Sequence, residues 1–174
     1  MFVVIEHGTR RLAHFNVTAH PTAARTLQQL REVVRDAGKH RYLIRDRDSI
    51  FARHLHESIR ALGLEVLLWP FASPKANAVS ERVIGTIRRE CLDWMIPVSQ
   101  VHLRSNVREW FAHYNGARPH RALGPGVPEP PCGPALASRP EARHRSVSGA
   151  LVRAKSVRGG LHHEYSLATA PVSA

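Results

Sequence analysis

The sequence predicts an α/β domain, with a mixed sheet and flanking helices, followed by an extended basic tail. Short apolar, β-branched segments alternate along the chain with segments whose apolar residues recur at helical spacing. A Pro- and Gly-rich stretch over residues 124–131 is incompatible with regular structure and ends this alternation. Of the 174 residues, 43% are hydrophobic, which is enough for one modest packed domain. We therefore predict a domain over residues 1–123 and a Pro-rich linker with a basic tail over residues 124–174.

The first elements predicted are a hairpin and a helix. Residues 2–5 and 12–17 are apolar and β-branched, and the turn around Gly8 joins them as two strands. Pro21 then stands near the start of a segment with apolar residues at helical spacing, and Gly38 stops it. This segment predicts an amphipathic helix.

A strand, a helix and a further strand follow. Residues 42–45 form a short apolar run, and a second helix begins after Ser49, a suitable N-cap, and ends at Gly63. Residues 64–69 are again apolar and predict the next strand. Because strands alternate with helices, the sheet should be mixed.

A third helix is predicted over residues 78–91. Successive helical residues turn by about 100°, which predicts a buried stripe at steps of three and four residues. The stripe consists of Ile84, Ile87, Cys91 and Trp94. Three residues flank Glu81 on a face displaced from this stripe, namely Asn77, Gly85 and Arg88. Gly85 either lets a phosphate backbone approach this face or is simply a tolerated helix glycine.

The last predicted helix covers residues 100–117. Four apolar residues lie on one side of it and should pack in the core, namely Leu103, Val107, Trp110 and Tyr114. Where this helix ends, Arg118, His120 and Arg121 emerge in a loop. There they suit contact with phosphates, although docking of the tail is an equal alternative.

Two carboxylates, 35 positions apart, are the candidate catalytic residues. Asp46 follows the strand over residues 42–45, and Glu81 lies in the first turn of the third helix. A strand end and a helix start can bring both groups to one divalent cation, because Mg²⁺ takes oxygen ligands and needs few protein groups. Taken singly, Asp46 could cap a turn and Glu81 could interact with the helix dipole.

Three motifs make the carboxylate pair specific. Together they closely resemble the integrase core of DDE-type bacterial insertion-sequence transposases, which are relatives of retroviral integrases. The resemblance extends from about Phe2 to Pro128. The motifs are Arg45-Asp46-Arg47-Asp48-Ser49-Ile50-Phe51, Ser73-Pro74-Lys75-Ala76-Asn77-Ala78-Val79-Ser80-Glu81-Arg82 and Tyr114-Asn115-Gly116-Ala117-Arg118-Pro119-His120-Arg121-Ala122-Leu123.

The resemblance implies a ribonuclease-H-like fold and an active site with three acids. Asp46 matches the second acid and Glu81 the third, whereas Asp48 lies two residues past the matching position. The first acid, an Asp on the first strand, has no match, so we expect the chain to be truncated at its N-terminus and to lack that strand. Glu6 is the nearest early acid, but it lies at a turn that carries no metal ligand in the family.

The resemblance also implies the chemistry, which is metal-dependent phosphodiester strand transfer in DNA integration or transposition. Asp46 and Glu81 would bind Mg²⁺ or Mn²⁺, weakly because the first Asp is absent. We expect little or no activity from this chain alone. The alternative is a non-catalytic nucleic-acid-binding remnant of a transposase.

The charge of the chain predicts a polyanionic partner. Lys and Arg number 25 against 14 Asp and Glu, a net charge of +11, which favours phosphate contacts with DNA. Ribosomal or membrane-surface binding would fit the same charge. The resemblance implies element ends and target DNA as partners, multimers with other transposase subunits, and a bacterial, nucleoid-associated location in the cytoplasm. The residues predicted to contact DNA are Lys75, Asn77, Arg82, Arg88, Arg118, His120 and Arg121.

Several classes of protein are disfavoured. No apolar run approaches the roughly 18 residues of a spanning helix, the N-terminus does not resemble a signal peptide, and we predict no membrane partner. The two Cys residues form no C-x-x-C motif, so neither a zinc ribbon nor a disulfide framework is indicated. His162, His163 and Glu164 are one conceivable metal cluster, but a solvated tail that is flexible or only partly ordered is favoured.

Overall fold

A computed structural model describes residues 1–34, 40–45, 53–68, 74–124, 126–130 and 150–169. The chain divides into two compact units. The first contains Met1–His7 and Ala13–Arg104, and the second contains Gly8–Leu12 and Ser105–Ala174. This division falls between Arg104 and Ser105, and the predicted boundary after residue 123 stays a prediction.

The four predicted strands are present. Strands β1 (Phe2–Ile5) and β2 (Leu12–Asn16) pair in one two-stranded sheet. Strands β3 (Tyr42–Arg45) and β4 (Glu65–Leu68) pair in another, in parallel, with Arg45 opposite Leu68. Strands and helices thus alternate as predicted, which confirms a mixed α/β fold. The described strands form separate two-stranded sheets, however, so the prediction of a single mixed sheet is wrong for the part of the chain that the structure describes.

Two helices cover the β3–β4 pair in the first unit, α1 (Ala23–Val34) and α2 (Arg53–Ala61). Parallel strands need a crossover connection, and α2 lies in the connection between β3 and β4. The buried core of this region consists of Leu30, Leu55, Ile59 and Leu64, against which Phe2, Leu27 and Leu43 pack.

Gly63 ends helix α2 with a specific cap. Its φ of 82° is left-handed, a conformation that glycine adopts without a Cβ penalty. The Gly63 N–H donates to the Arg60 carbonyl at 2.9 Å, and the Leu64 N–H donates to the Ile59 carbonyl at 3.4 Å. This is a Schellman motif, and the side chains of Ile59 and Leu64 share the core beneath it. The cap directs the chain into β4.

Helix α3 (Pro74–Glu90) begins four residues before the predicted start. The predicted stripe is wrong at two positions, because Ile84 is 60% exposed and Trp94 is 68% exposed. The helix ends at Glu90, and a 3₁₀ turn over Leu92–Trp94 has a tighter winding that removes Trp94 from the stripe. The residues that α3 and its end bury are Val83, Thr86, Ile87 and Cys91.

Helix α4 (Gln100–Gly116) matches its prediction to within one residue. It begins after Ser99, whose hydroxyl accepts a hydrogen bond from the His102 N–H at 3.0 Å. In the second unit Val107, Trp110 and Tyr114 are buried, and the last two rings lie 5.1 Å apart between centroids. The prediction that these aromatic residues belong to the core is confirmed.

The C-terminal region contains a hairpin that the sequence did not predict. Strands β5 (Ala150–Val157) and β6 (His162–Thr169) pair in antiparallel register, with Ala154 opposite Tyr165. Gly159 and Gly160 have φ of 65° and 95° in the connection. The expectation of a flexible or partly ordered tail is therefore corrected for residues 150–169. Within the described residues, every helix falls short of the length and apolarity that crossing a bilayer requires.

Candidate functional site

The structure describes only one of the two candidate carboxylates. Glu81 lies in α3 and is exposed. Asp46 lies outside the described residues, directly after the last residue of β3, Arg45. Lys75 and Asn77 belong to the first turn of α3, but their side chains are also outside the description. The convergence of Asp46 with Glu81 therefore stays a prediction.

The outer side of α3, opposite the buried residues, carries Glu81 together with cationic side chains. Arg82 and Arg88 are both exposed. Seven residues turn a helix through almost two full turns, so Glu81 and Arg88 project in nearly the same direction about 10 Å apart along the axis. We call the exposed set Glu81, Arg82, Arg88 and Arg89 the α3 charged face.

Arg88 has an acidic partner within the first unit. Its Nε lies 3.3 Å from Oδ1 of Asp93, and the two side chains are 74% and 51% exposed. Ion pairs this exposed contribute about 0–1 kcal/mol, so a phosphate group can compete for the guanidinium.

Arg89 belongs to the same face and was missed by the sequence analysis. Its guanidinium folds back over Gly85, where an added Cβ would lie 3.0 Å from Nη1. The lack of a side chain at Gly85 thus accommodates Arg89, which differs from both interpretations given above. Among the described residues, no acid forms an ion pair with Arg89. A glycine four residues before an arginine on an exposed helix face is the signal that could have identified it.

Glu6 contacts the residue that directly precedes the β3 flank at Arg41, at the end of the strand away from Arg45. Its Oε1 lies 3.1 Å from Nε2 of His40, which precedes β3. Asp46 follows the opposite end of that strand, and four strand residues span about 13 Å. The expectation that Glu6 is not a metal ligand stays a prediction.

Arg45, the first residue of the first motif, contacts the imidazole of His56 on helix α2. Burial lowers the pKa of His56, and the charges of Arg45 and Arg60 lower this pKa further. The imidazole is therefore kept neutral near pH 7. The contact attaches the end of β3, immediately before Asp46, to helix α2.

The third motif is largely part of the scaffold. His120 is only 8% exposed, and its ring packs edge-on against Tyr114 at 4.5 Å between centroids. The backbone N–H of His120 donates to the Gly126 carbonyl at 2.8 Å. The prediction that His120 is free in a loop is wrong, because this packing removes the ring from solvent. The Arg118 guanidinium carbon lies 5.6 Å from the Tyr114 ring centroid, whereas Arg121 is exposed.

Asn115 has a structural role that the sequence analysis did not assign. Its Oδ1 accepts from the Leu12 N–H at 2.9 Å, and its Nδ2 donates to the Leu12 carbonyl at 2.9 Å. The side chain thus pairs with the strand backbone as a neighbouring strand would. Its own carbonyl accepts from the Glu129 N–H at 2.8 Å, and Glu129 pairs with Arg11 at 2.9 Å.

The described residues contain no group of three His, Cys, Asp or Glu side chains that could hold a metal ion. Glu164 instead lies 3.3 Å from Nδ1 of His113 in α4, and His162 stacks on the same ring at 5.0 Å between centroids. Neither a metal cluster nor a solvated tail describes these residues, which are part of strand β6.

The segment that contains the α3 charged face is similar to a known protein family. Residues 63–128 match the family described as integrase core domain. This segment is therefore similar to an integrase core domain. The chain is 34% identical over 73 residues, or 42% of its length, to the InsD protein of insertion element IS2E from Escherichia coli strain K12. The same values hold for the transposase InsD of insertion elements IS2A, D, F, H, I and K from Escherichia coli.

The integrase core segment covers only part of these relatives. The chain spans 34% of the length of the first relative and 24% of the length of the second. The segment includes β4, α3 and α4, and therefore Glu81 and the arginines of the α3 charged face. Asp46 lies before it. The resemblance to DDE-type transposases that was inferred from the sequence motifs is thus confirmed, with partial coverage.

Proposed function

We propose that the chain is part of a transposase catalytic domain that acts in DNA integration or transposition by metal-dependent phosphodiester strand transfer. Asp46 and Glu81 are the proposed metal ligands. The observation that carries the proposal is the α3 charged face, an exposed carboxylate among three arginines within the integrase core segment.

The chemistry of the donors suits Mg²⁺ or Mn²⁺. Both ions prefer oxygen ligands, and the two proposed residues supply carboxylate oxygens. When bound, such ions activate the attacking oxygen and stabilise the leaving oxygen. The protein contributes positioning, because Glu81 is fixed on a helix that is held by its buried residues Val83 and Ile87.

The arginines are proposed to hold the DNA backbone beside the carboxylate. Exposed guanidinium groups bind phosphate oxygens in bidentate geometry, and their charge offsets the repulsion between phosphate and Glu81. Arg89 joins the predicted contacts from Lys75, Asn77, Arg82, Arg88, Arg118 and Arg121 in this proposal. The partners proposed are element ends and target DNA, with other transposase subunits, in the nucleoid region of a bacterial cytoplasm.

We further propose that the chain alone has little or no strand-transfer activity. The resemblance implies three acids, and this sequence matches two of them. Two carboxylates supply too little negative charge to hold two divalent ions well, so metal binding should be weak.

Mn²⁺ titration followed by electron paramagnetic resonance tests the ligand assignment. We expect weak binding that is lost in Asp46→Asn and in Glu81→Gln but kept in the matched control Asp48→Asn. Equal loss in Asp46→Asn and Asp48→Asn would refute the choice of Asp46. Unchanged Mn²⁺ binding in all three variants would favour the alternative, a non-catalytic DNA-binding remnant.

Activity is tested with the chain extended at its N-terminus by a strand that carries an Asp. The extended protein should nick or join DNA in the presence of Mg²⁺, and Glu81→Gln should abolish this activity. Robust Mg²⁺-dependent cleavage by the chain as it stands would contradict the proposed inactivity.

A further inference from the structure

Trp94 is an exposed aromatic residue at the end of helix α3. Its side chain is 68% exposed, whereas Cys91, three positions earlier, is fully buried, and so is Trp110 in α4. Aromatic side chains bury about 150–250 Å² each in a core, and this burial stabilises a fold. The fold gains little of that stabilisation from Trp94, which indicates that the ring meets another molecule.

Two contacts fix the position of the ring beside the last turn of α3. The indole Nε1 of Trp94 donates to the Arg89 carbonyl at 2.6 Å. This carbonyl is among the last of the helix, which lack partners within it. One residue before the indole, Oδ1 of Asp93 lies 3.3 Å from Nε of Arg88. The 3₁₀ turn over Leu92–Trp94 is thus held against the helix end, and the ring is oriented before any ligand binds.

Capping of the helix does not explain so large a side chain. A single N–H donor satisfies the Arg89 carbonyl, and the side chains of Lys, Arg or His supply one at many helix ends. The Nε1–H group is the only hydrogen-bonding group of an indole, so Trp94 has no polar group left. What it presents to solvent is a flat π surface, whose preferred ligands are another π face or a cation.

The charges beside the ring favour a nucleobase as the ligand. Arg88 and Arg89 are exposed members of the α3 charged face, and they disfavour a cation. The exposed acid next to them, Asp93, is paired with Arg88. Every nucleobase has a π face, and proteins bind single strands by combining aromatic rings for the bases with cationic groups for the phosphates. The end of α3 supplies both kinds of group.

We propose that Trp94 stacks on an unpaired base of DNA whose phosphates contact Arg88 and Arg89. Bases inside a duplex are already stacked on both sides, so the ring can reach only a base at a single-stranded end or one that is flipped out. The proposal rests on the proposed function, and it names DNA ends with single-stranded overhangs as the form of DNA that the chain binds.

The stacked base is not the reacting nucleotide. Glu81 lies eight residues before Arg89, which corresponds to about 12 Å along the helix axis. A base on Trp94 therefore lies several nucleotides away from a phosphate at Glu81. Trp94 positions the strand and takes no part in the chemistry.

Fluorescence anisotropy of the full chain with matched DNAs tests the proposal. The DNAs are a blunt duplex, the same duplex with a short single-stranded overhang, and that overhang with abasic sites, which keep the phosphates and lack the bases. We expect the overhang with bases to bind about fivefold or more tightly than the abasic overhang. Trp94→Leu should remove this preference and leave the affinity for the blunt duplex unchanged.

Trp94→Phe separates stacking from capping, because phenylalanine keeps an aromatic face and lacks the N–H donor. This variant should retain most of the preference for the overhang with bases. The matched control is Ile96→Ala, which removes an aliphatic side chain that is 85% exposed two residues further on, and it should retain all of the preference. A 2-aminopurine base in the overhang should lose fluorescence on binding the parent but not on binding Trp94→Leu. Circular dichroism verifies that all variants fold.

Several outcomes would overturn the proposal. These are equal affinity of the parent for the two overhangs, a Trp94→Leu variant that retains the preference, and a Trp94→Phe variant that loses it completely, which would assign the side chain to capping. A Trp94→Leu variant with altered sedimentation and an unaltered preference would assign the ring to a protein contact instead.

The same measurements separate this proposal from the proposed function. Each of the outcomes above leaves binding to the blunt duplex, and with it the proposed function, in place. A chain that binds none of the DNAs would refute both proposals. A chain that fails to bind Mn²⁺ but prefers the overhang with bases would lose its proposed catalytic role and keep the stacking contact.

Discussion

The second and third motifs of the sequence are used in different ways by the structure. The end of the second motif, at Glu81 and Arg82, lies on the exposed side of α3, where charged groups face solvent. The third motif contributes Asn115 and His120, which are 5% and 8% exposed and hydrogen-bonded to backbone groups of the second unit. The polar residues of these two motifs thus divide into an exposed set that a ligand can reach and a buried set that stabilises the fold. Exposure, not residue type, separates them.

Substitution of Asn115 should have the largest effect on stability. Asn115→Ala leaves the N–H and carbonyl of buried Leu12 without their partner, and each such loss costs about 1–3 kcal/mol. We expect the free energy of unfolding to fall by about 2–6 kcal/mol in total. Urea denaturation measures the fall, and hydrogen exchange at the Leu12 amide locates it. Ser105→Ala, at an exposed position of α4, is the control that should change little.

The neighbouring residues His120 and Arg121 test this division between buried and exposed residues within one motif. His120→Ala should lower the free energy of unfolding by about 1–3 kcal/mol, because packing on Tyr114 and a buried hydrogen bond are lost. Arg121→Ala should stay within about 0.5 kcal/mol of the parent, because the side chain is exposed. Arg121→Ala should lower the affinity for DNA more than His120→Ala does. Equal loss of stability in both variants would show that the motif does not divide as described.

The arginines of the α3 charged face should govern DNA affinity and leave stability nearly unchanged. In fluorescence anisotropy with duplex DNA across a salt series, Arg88→Ala and Arg89→Ala should each reduce the salt slope by about 1, as expected for one phosphate contact. Glu81→Gln should slightly increase affinity, because a negative charge is removed. If Arg89→Ala leaves the slope unchanged while Arg88→Ala reduces it, Arg89 does not contact DNA.

His56 should give the smallest effect. Its pKa is lowered in the folded state, so below about pH 6.5 the unfolded chain binds more protons than the folded chain. Stability should therefore decrease as pH falls through this value, and His56→Gln should reduce that decrease. Thermal unfolding at pH 7.5 and pH 5.5 measures the difference. A parent and variant with the same pH dependence would exclude His56 as its source.

The sequence was sufficient for elements whose local signals agree with their packing. Strand β3 was predicted at its observed bounds, and Gly63 was recognised as the end of α2. The stripe of α3 was misplaced because apolar spacing alone cannot distinguish a buried arc from one rotated by a single position. Thr86 lies on the true arc, and its hydroxyl donates to the Arg82 carbonyl at 2.7 Å. That bond satisfies a polar side chain in the interior.

The C-terminal hairpin and the role of Asn115 depended on contacts that sequence spacing does not contain. Leu12 and Asn115 are 103 positions apart, and nothing local indicates that an amide pairs with that strand. For the hairpin a signal was present in Gly159 and Gly160, which lie between two segments of strand-forming residues. The basic composition of the tail outweighed it. The relation of Asp46 to Glu81 remains a prediction.

Gly85 places local stability and ligand recognition in opposition on α3. Alanine at this position would favour the helix by about 1 kcal/mol, which is the usual gain over glycine. The new methyl group would lie 3.0 Å from Nη1 of Arg89 and would move the guanidinium, although every charge of the chain would be retained. A variant selected for thermal tolerance that acquires this alanine would therefore lose the proposed contact of Arg89 with DNA without any change in isoelectric point.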